Sequence, residues 1–212
     1  MTNTLISAID LAVTILSYKE NKDQKTITLR KLQKLVYYCQ AWSLAWDGVP
    51  LFKEDIVACP HRGPIVPELQ EYAVSRFAKV STGKKDIYEI FNTKGVYEIF
   101  NTDMDLCFEG LPQRAAKLKK YQEKAIRSVL RDYEMYDIES IEDLSKEEGP
   151  FKKAMLGSKG GGSAPVISIE SIERYYSALE VIRKSQTLNM DYSYRNFILD
   201  FPAWEGENMH EK

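Results

Sequence analysis

Apolar and polar positions along this chain recur mainly at the helical period. Residues 4–17 set Leu5, Ile9, Ala12, Ile15 and Leu16 on one face, with Ala8 and Val13 at its borders, which predicts a first core helix. Lys19 to Lys25 is a polar connector. Thr28 then offers a good N-cap, and Ile27 before it can meet Leu32 across the first turn of a second helix. In that helix Leu32, Leu35, Val36, Cys39, Trp42, Ser43 and Trp46 fall on one broad side, and Arg30, Gln33 and Lys34 fall opposite, so its front half reads as amphipathic. After Val36 the opposite side becomes Tyr37, Ala41, Leu44 and Ala45. A back half that is apolar nearly all round predicts burial, and with it a central helix about which the domain packs. Asp47-Gly48 ends it, glycine being suited to the left-handed closing residue.

A short β-like run, Ile56-Val57-Ala58, leads into Cys59-Pro60-His61-Arg62-Gly63-Pro64-Ile65-Val66-Pro67, where three prolines stiffen the backbone. Pro67 suits the first position of a third helix running to about Phe77. Tyr88-Glu89-Ile90-Phe91-Asn92-Thr93 then recurs unchanged as Tyr97-Glu98-Ile99-Phe100-Asn101-Thr102, and its β-branched and aromatic alternation predicts a β-hairpin over about 86–102. From Pro112 to about Tyr133 a long helix is predicted, with Ala115, Leu118, Gln122, Ala125, Ile126, Val129, Leu130 and Tyr133 facing the core. Short helices follow at Ile138 to Leu144 and from Gly149-Pro150 through Met155. Residues 157–165 read as a flexible glycine-rich linker, without the spacing of a phosphate-binding loop. Ser168 caps a last helix with Ile172, Tyr176 and Leu179 on one face. The expectation is a mainly α chain: one helical domain over 1–187 around a buried central helix, with a small hairpin, then an aromatic extension over 188–212.

Residues Leu29 to Leu69 carry a resemblance. Lys31-Leu32-Gln33-Lys34-Leu35, Tyr37-Tyr38, Gln40-Ala41-Trp42, Leu44-Ala45, Gly48, Pro50-Leu51-Phe52, Gly63-Pro64 and Val66-Pro67-Glu68-Leu69 resemble the signature of the Panacea domain, the family of SocA-like and phage-associated GepA-like proteins. Fainter likeness runs on through Leu144-Ser145, Pro150-Phe151 and Ile167-Ser168 to Tyr175-Tyr176, with Ser43 where many relatives have His and Phe151 where many have Trp. The resemblance implies a mostly helical antitoxin that binds a cognate protein toxin directly, or an adaptor that hands the toxin to a protease.

Composition narrows the rivals. At 212 residues and 44% hydrophobic, the chain suits one domain with a real core. A formal charge of −2 gives no global field toward DNA or an anionic membrane, which places a DNA-binding regulator below a protein-binding role. No segment reaches the roughly eighteen apolar residues that cross a bilayer. Met1 to Ser17 lacks the basic start and small-residue cleavage site of a signal peptide, and three widely spaced cysteines suit reduced thiols in a cytoplasm.

Candidate chemistry is sparse. Cys59 and His61 flank one proline, His210 is the only other histidine, and no Cys-x-x-Cys occurs, so neither metal nor cofactor is expected. Cys39 faces the core, which leaves a cysteine nucleophile, and a small cytosolic enzyme, as the distant rival. Glu68 reads as a first-turn helix carboxylate. Candidate partner contacts are His61 and Arg62 on the stiff loop; Lys117, Lys120, Lys124, Arg127 and Arg131 in one outer row; and Tyr194, Phe197 and Trp204 in the tail. The tail is too apolar for a solvated coil and should bury against its own domain, the toxin, or a second copy in a homo-oligomer.

Overall fold

A computed structural model describes residues 5–20, 26–73, 105–107, 118–158 and 164–187. The predicted hairpin over 86–102, residues 112–117 and the tail over 188–212 lie outside them. The architecture is mainly α, as the periodicity predicts, with small antiparallel sheets beside the helices.

Helix α1 spans Ala8–Glu20. It starts later than the apolar period does because Ser7 caps it, its Oγ accepting from the Asp10 amide at 3.0 Å, while the Ile6 amide donates instead to Leu51 O at 2.9 Å. Leu5 is left outside the core at 38% exposure. Strand β1, Thr26–Thr28, leads into α2, Leu29–Asp47. Thr28 caps α2 by accepting from the Lys31 amide at 3.2 Å, and Gly48 closes it at φ 61° with its amide on Leu44 O.

α2 is the central helix, buried without a break from Leu32 to Leu44. The polar face expected on its front half is absent: Gln33 and Lys34 are 1% and 0% exposed, and Arg30 is half-buried. Helical spacing places these residues correctly, but other parts of the chain cover them.

One cover is a β-hairpin over the proline-rich segment, where β2 (Val57–Cys59) pairs with β3 (Gly63–Ile65) in the register Val57↔Ile65 and Cys59↔Gly63. Its three-residue loop is closed by the Arg62 amide on Cys59 O at 3.1 Å and followed by Gly63 at φ 73°, the geometry in which a left-handed residue restores the ladder. Proline is tolerated inside β3 because the strand is an edge and Pro64 directs its missing N–H away from β2. Pro67 opens α3, described over 67–73. Strand β4, Asp105–Cys107, pairs with β1.

Helix α4 spans Lys120–Tyr133; the continuous helix predicted up to Tyr133 is interrupted at Lys119, which is extended at φ −80° and ψ 157° and whose amide is taken by the Gln122 side chain at 2.9 Å. Ala125, Ile126, Val129 and Leu130 face the core as predicted. Then come α5 (Ile138–Glu147), capped by Asp137, and α6 (Gly149–Gly157), with proline in its first turn. α7 (Ile169–Thr187) is capped by Ser168 and buries Ile172 and Tyr176. Just before α7 the chain returns to the hairpin: the Ala58 amide donates to Pro165 O at 2.8 Å, the Ile167 amide to Ile56 O at 2.7 Å, and Val57 faces Val166. Residues 165–167 thus line the free side of β2 as a third strand.

Candidate functional site

The polar residues buried along α2 sort into two neighbouring clusters. In the first, Arg30 grips Glu142 of α5 through two bonds, Nε to Oε1 at 2.9 Å and Nη2 to Oε2 at 2.5 Å, and Arg62 from the hairpin loop approaches the same carboxylate at 4.0 Å. Lys34 donates to Pro64 O at 2.5 Å. Burial lowers its ammonium to about 7, against the upward pull of Glu142. Gln33 reads the backbone at the entry to α3: its amide donates to Val66 O at 3.1 Å and its carbonyl accepts from Val66 N at 2.9 Å. A Cβ on Gly63 would stand 2.5 Å from Ser145 Oγ and 3.3 Å from Lys34 Nζ, so glycine is required there for space as well as for φ.

In the second cluster, the N-cap residue of α6, Glu148, sits among tyrosines. Tyr37 donates to its Oε2 at 2.7 Å and Tyr176 of α7 to its Oε1 at 2.8 Å. The Tyr38 hydroxyl lies close to the same carboxylate but makes no bond of full geometry. Burial raises Glu148 to about 7, opposed by these hydroxyls and by Lys34. Tyr37 and Tyr176 are pushed well above the usual phenol range, first by burial and then by the neighbouring carboxylate. Aromatic packing continues outward: Tyr38 stacks on Tyr133 at 4.0 Å, and Trp42 meets Tyr176 edge-on at 5.2 Å while donating to the Tyr133 hydroxyl at 3.0 Å.

The residues predicted to meet a partner are spread more widely. His61 is exposed at the tip of the hairpin, whereas Arg62 turns inward to Glu142, so only half of the pair is presented. In the α4 row Lys120 is exposed, and the other three described cations have neighbours of their own. Lys124 stands 3.6 Å from Asp47 and over the Trp46 ring, Arg127 pairs with Glu123 at 2.7 Å and lies over the Tyr18 ring, and Arg131 pairs with Asp132 at 2.6 Å. Trp46, read as core, is half-buried, stacked on Trp42 at 5.1 Å beneath Lys124 and Arg183. Lys117, Tyr194, Phe197 and Trp204 lie outside the described residues. Glu68 is exposed in the first turn of α3.

Sequence reasoning missed Lys34, Glu142 and Glu148 as members of buried clusters. The signal available for them was the density of polar and tyrosyl residues inside a helix otherwise marked for burial. Cys39 is buried as expected, and burial pushes its thiol far above the thiolate range, which leaves it inert. Among the described residues no group of three or more His, Cys, Asp and Glu is placed to hold a metal ion, and no helix is long and apolar enough to cross a membrane.

The family model described as antitoxin SocA-like, Panacea domain, matches residues 32–152, more than half of the chain. The chain belongs to that family. No curated protein and no solved structure matches it. The Panacea match opens inside α2 and closes in α6, so Lys34, Glu142 and Glu148 fall within it, whereas α1 and α7, with Tyr176, fall outside. What the Panacea region builds is a hub of buried polar groups, most of them bonded within the chain, that fixes the hairpin, α5 and α6 against α2.

Proposed function

We propose that this protein is the antitoxin of a toxin–antitoxin pair and neutralises a cognate protein toxin by binding it directly in the cytoplasm. The observation that carries the reading is the SocA-like match across the hub of the fold, since that family is an antitoxin domain rather than a known enzyme family. The polar groups of the hub support it physically. Lys34 and Glu148, both drawn near neutrality, are turned toward partners inside the chain and hold elements together. Lys120, Lys124, Arg127 and Arg131 remain proposed contacts for an acidic toxin surface; as exposed groups, three of them already paired within the chain, they favour approach more than fixed docking. His61 at the hairpin tip is a proposed contact as well.

Co-expression provides the test. A gene adjacent to this one whose product arrests growth alone and is silent beside this protein identifies the toxin, and the two purified together form a stable complex. Rescue that disappears in a protease-deficient host, with the toxin then accumulating, replaces direct neutralisation by delivery to a protease. Absence of both rescue and complex overturns the antitoxin role.

A further inference from the structure

Among the described residues the hairpin sheet has an open side. Residues 165–167 run antiparallel to β2, with Pro165 O and Ile167 N–H bonded inward to Ala58 N–H and Ile56 O. Since main-chain groups alternate direction along a strand, the N–H and C=O of Val166 between them point outward. Proline is a common device for blunting a sheet edge, but Pro165 does not blunt this one, because its missing N–H belongs to the inward-facing set. Beside this edge lies an open groove of about 280 Å3, lined by Pro150, Lys153, Ala154 and Gly157 of α6 on one side and by Pro165, Val166, Ser168 and Ser171 on the other. Val166 is 52% exposed, and Leu156, one turn away on α6, is 73% exposed.

We propose that this groove is a strand-addition site: an extended segment of the protein partner pairs with Val166 through main-chain hydrogen bonds and lays an apolar side chain against Val166 and Ala154. Three observations select that occupant. Unused N–H and C=O groups on a strand edge are matched by an extended backbone, whereas a helix keeps its own main-chain groups occupied. The walls are low, with proline, alanine and glycine leaving room for one side chain between α6 and the edge. Lys153 adds a single positive charge, so a partner residue on the same face of the added strand, two positions from the apolar one, is acidic. The proposal rests on the protein-binding reading above and names the chemistry of the partner segment.

The test uses the full-length chain. It is panned against a displayed library of random dodecapeptides, and the enriched peptide is titrated into isotope-labelled protein. The expected peptide alternates an apolar residue with an acid two positions on, moves the amide resonances of Val166, Ala154 and Gly157, and slows exchange of the Val166 amide by about tenfold or more. Ala154→Arg, which fills the groove, and Lys153→Glu, which reverses its charge, weaken that binding by about tenfold. Lys153 is exposed and Ala154 is half-buried against the core, and each variant is to melt within a few degrees of the parent; Lys153→Glu serves alone should Ala154→Arg unfold. No enriched peptide, a peptide that moves resonances elsewhere, unchanged affinity in a folded variant, or self-association through Val166 would each overturn the proposal. Growth rescue separates it from the antitoxin role: equal rescue by parent and variants removes the groove as the toxin's seat and leaves the role standing. A parent that fails to rescue removes the role, while the peptide titration still decides the groove.

Discussion

At Lys34 and Glu142 the burial of charge is met with more charge: a guanidinium holds the carboxylate in two bonds, a second guanidinium stands near, and the ammonium is turned to a proline carbonyl. One turn along α2, Glu148 is met at hydrogen-bond distance by neutral hydroxyls, with the Lys34 charge acting only from farther off. The first cluster keeps its ions paired and draws three separate segments onto α2, namely the hairpin, α3 and α5. The second holds a carboxyl group on the verge of protonation among three tyrosines and draws in α6 and α7. Charge pairing gives a joint that breaks badly when one partner is removed; hydroxyl coordination gives one that responds to pH.

The largest effect expected is from Glu142→Ala, which removes the buried carboxylate that takes two bonds from Arg30 and should lower stability by about 3–5 kcal/mol in urea unfolding. Glu148→Ala leaves the Tyr37 and Tyr176 hydroxyls without an acceptor but also removes a poorly solvated carboxyl group. A loss of about 2–4 kcal/mol follows. If Glu148→Ala proved the more damaging, the contrast between the clusters would be inverted.

The pH profile sharpens the contrast. Glu148 holds its proton in the folded state up to about 7, above its unfolded value near 4.5, so its contribution is full below the unfolded value and lost as pH rises through 7. Lys34 runs the other way. Its folded value of about 7 lies below the unfolded 10.5, so the penalty for burying the ammonium is present below 7 and relieved as pH rises above it. Stability should therefore pass through a minimum near neutrality, the acid limb amounting to about 3 kcal/mol and the alkaline limb to about 5 kcal/mol. Glu148→Gln should flatten the acid limb, and Lys34→Met should flatten the alkaline limb while deepening the acid one, since Lys34 no longer holds Glu148 down; a profile unchanged by either would remove these groups as its cause.

Gly63→Ala is smaller. It forces a side chain into the left-handed region and against Ser145 Oγ, and should cost about 1–2 kcal/mol by thermal melting. At the bottom of the scale, Arg127→Ala removes an exposed ion pair and should leave the melting temperature where it was. A clear drop would mean that the guanidinium over the Tyr18 ring belongs to the fold.

Local rules recovered much of this molecule. Thr28, Gly48, Ser168 and Pro67 stand at the helix ends where capping chemistry puts them, and burial of the back half of α2 followed from its apolar circumference. The front half misled because a helical wheel ranks Lys and Gln by their preference for water. Gln33 and Lys34 are buried only because Val66 and Pro64, about thirty residues on, bring main-chain groups to them, a fact of tertiary structure absent from local spacing. The hairpin was concealed for a related reason: prolines argue against strands, and only the outward direction of the Pro64 nitrogen makes one acceptable here. On α4 the outer row was legible as a row, but not the ion pairs that occupy most of it.

The strand at 165–167 gives the glycine-rich run before it an unusual standing. Its far end is stitched to the β2 strand, α7 beyond it is anchored by Tyr176 in the hub, and Gly157 on its near side ends a helix whose N-cap is Glu148. A cut between Ser158 and Ala164 would break the covalent chain without breaking the noncovalent connection. The two fragments should remain associated after nicking and reassemble when expressed apart, so that reconstitution of a split chain becomes a direct gauge of how tightly the last helix is held.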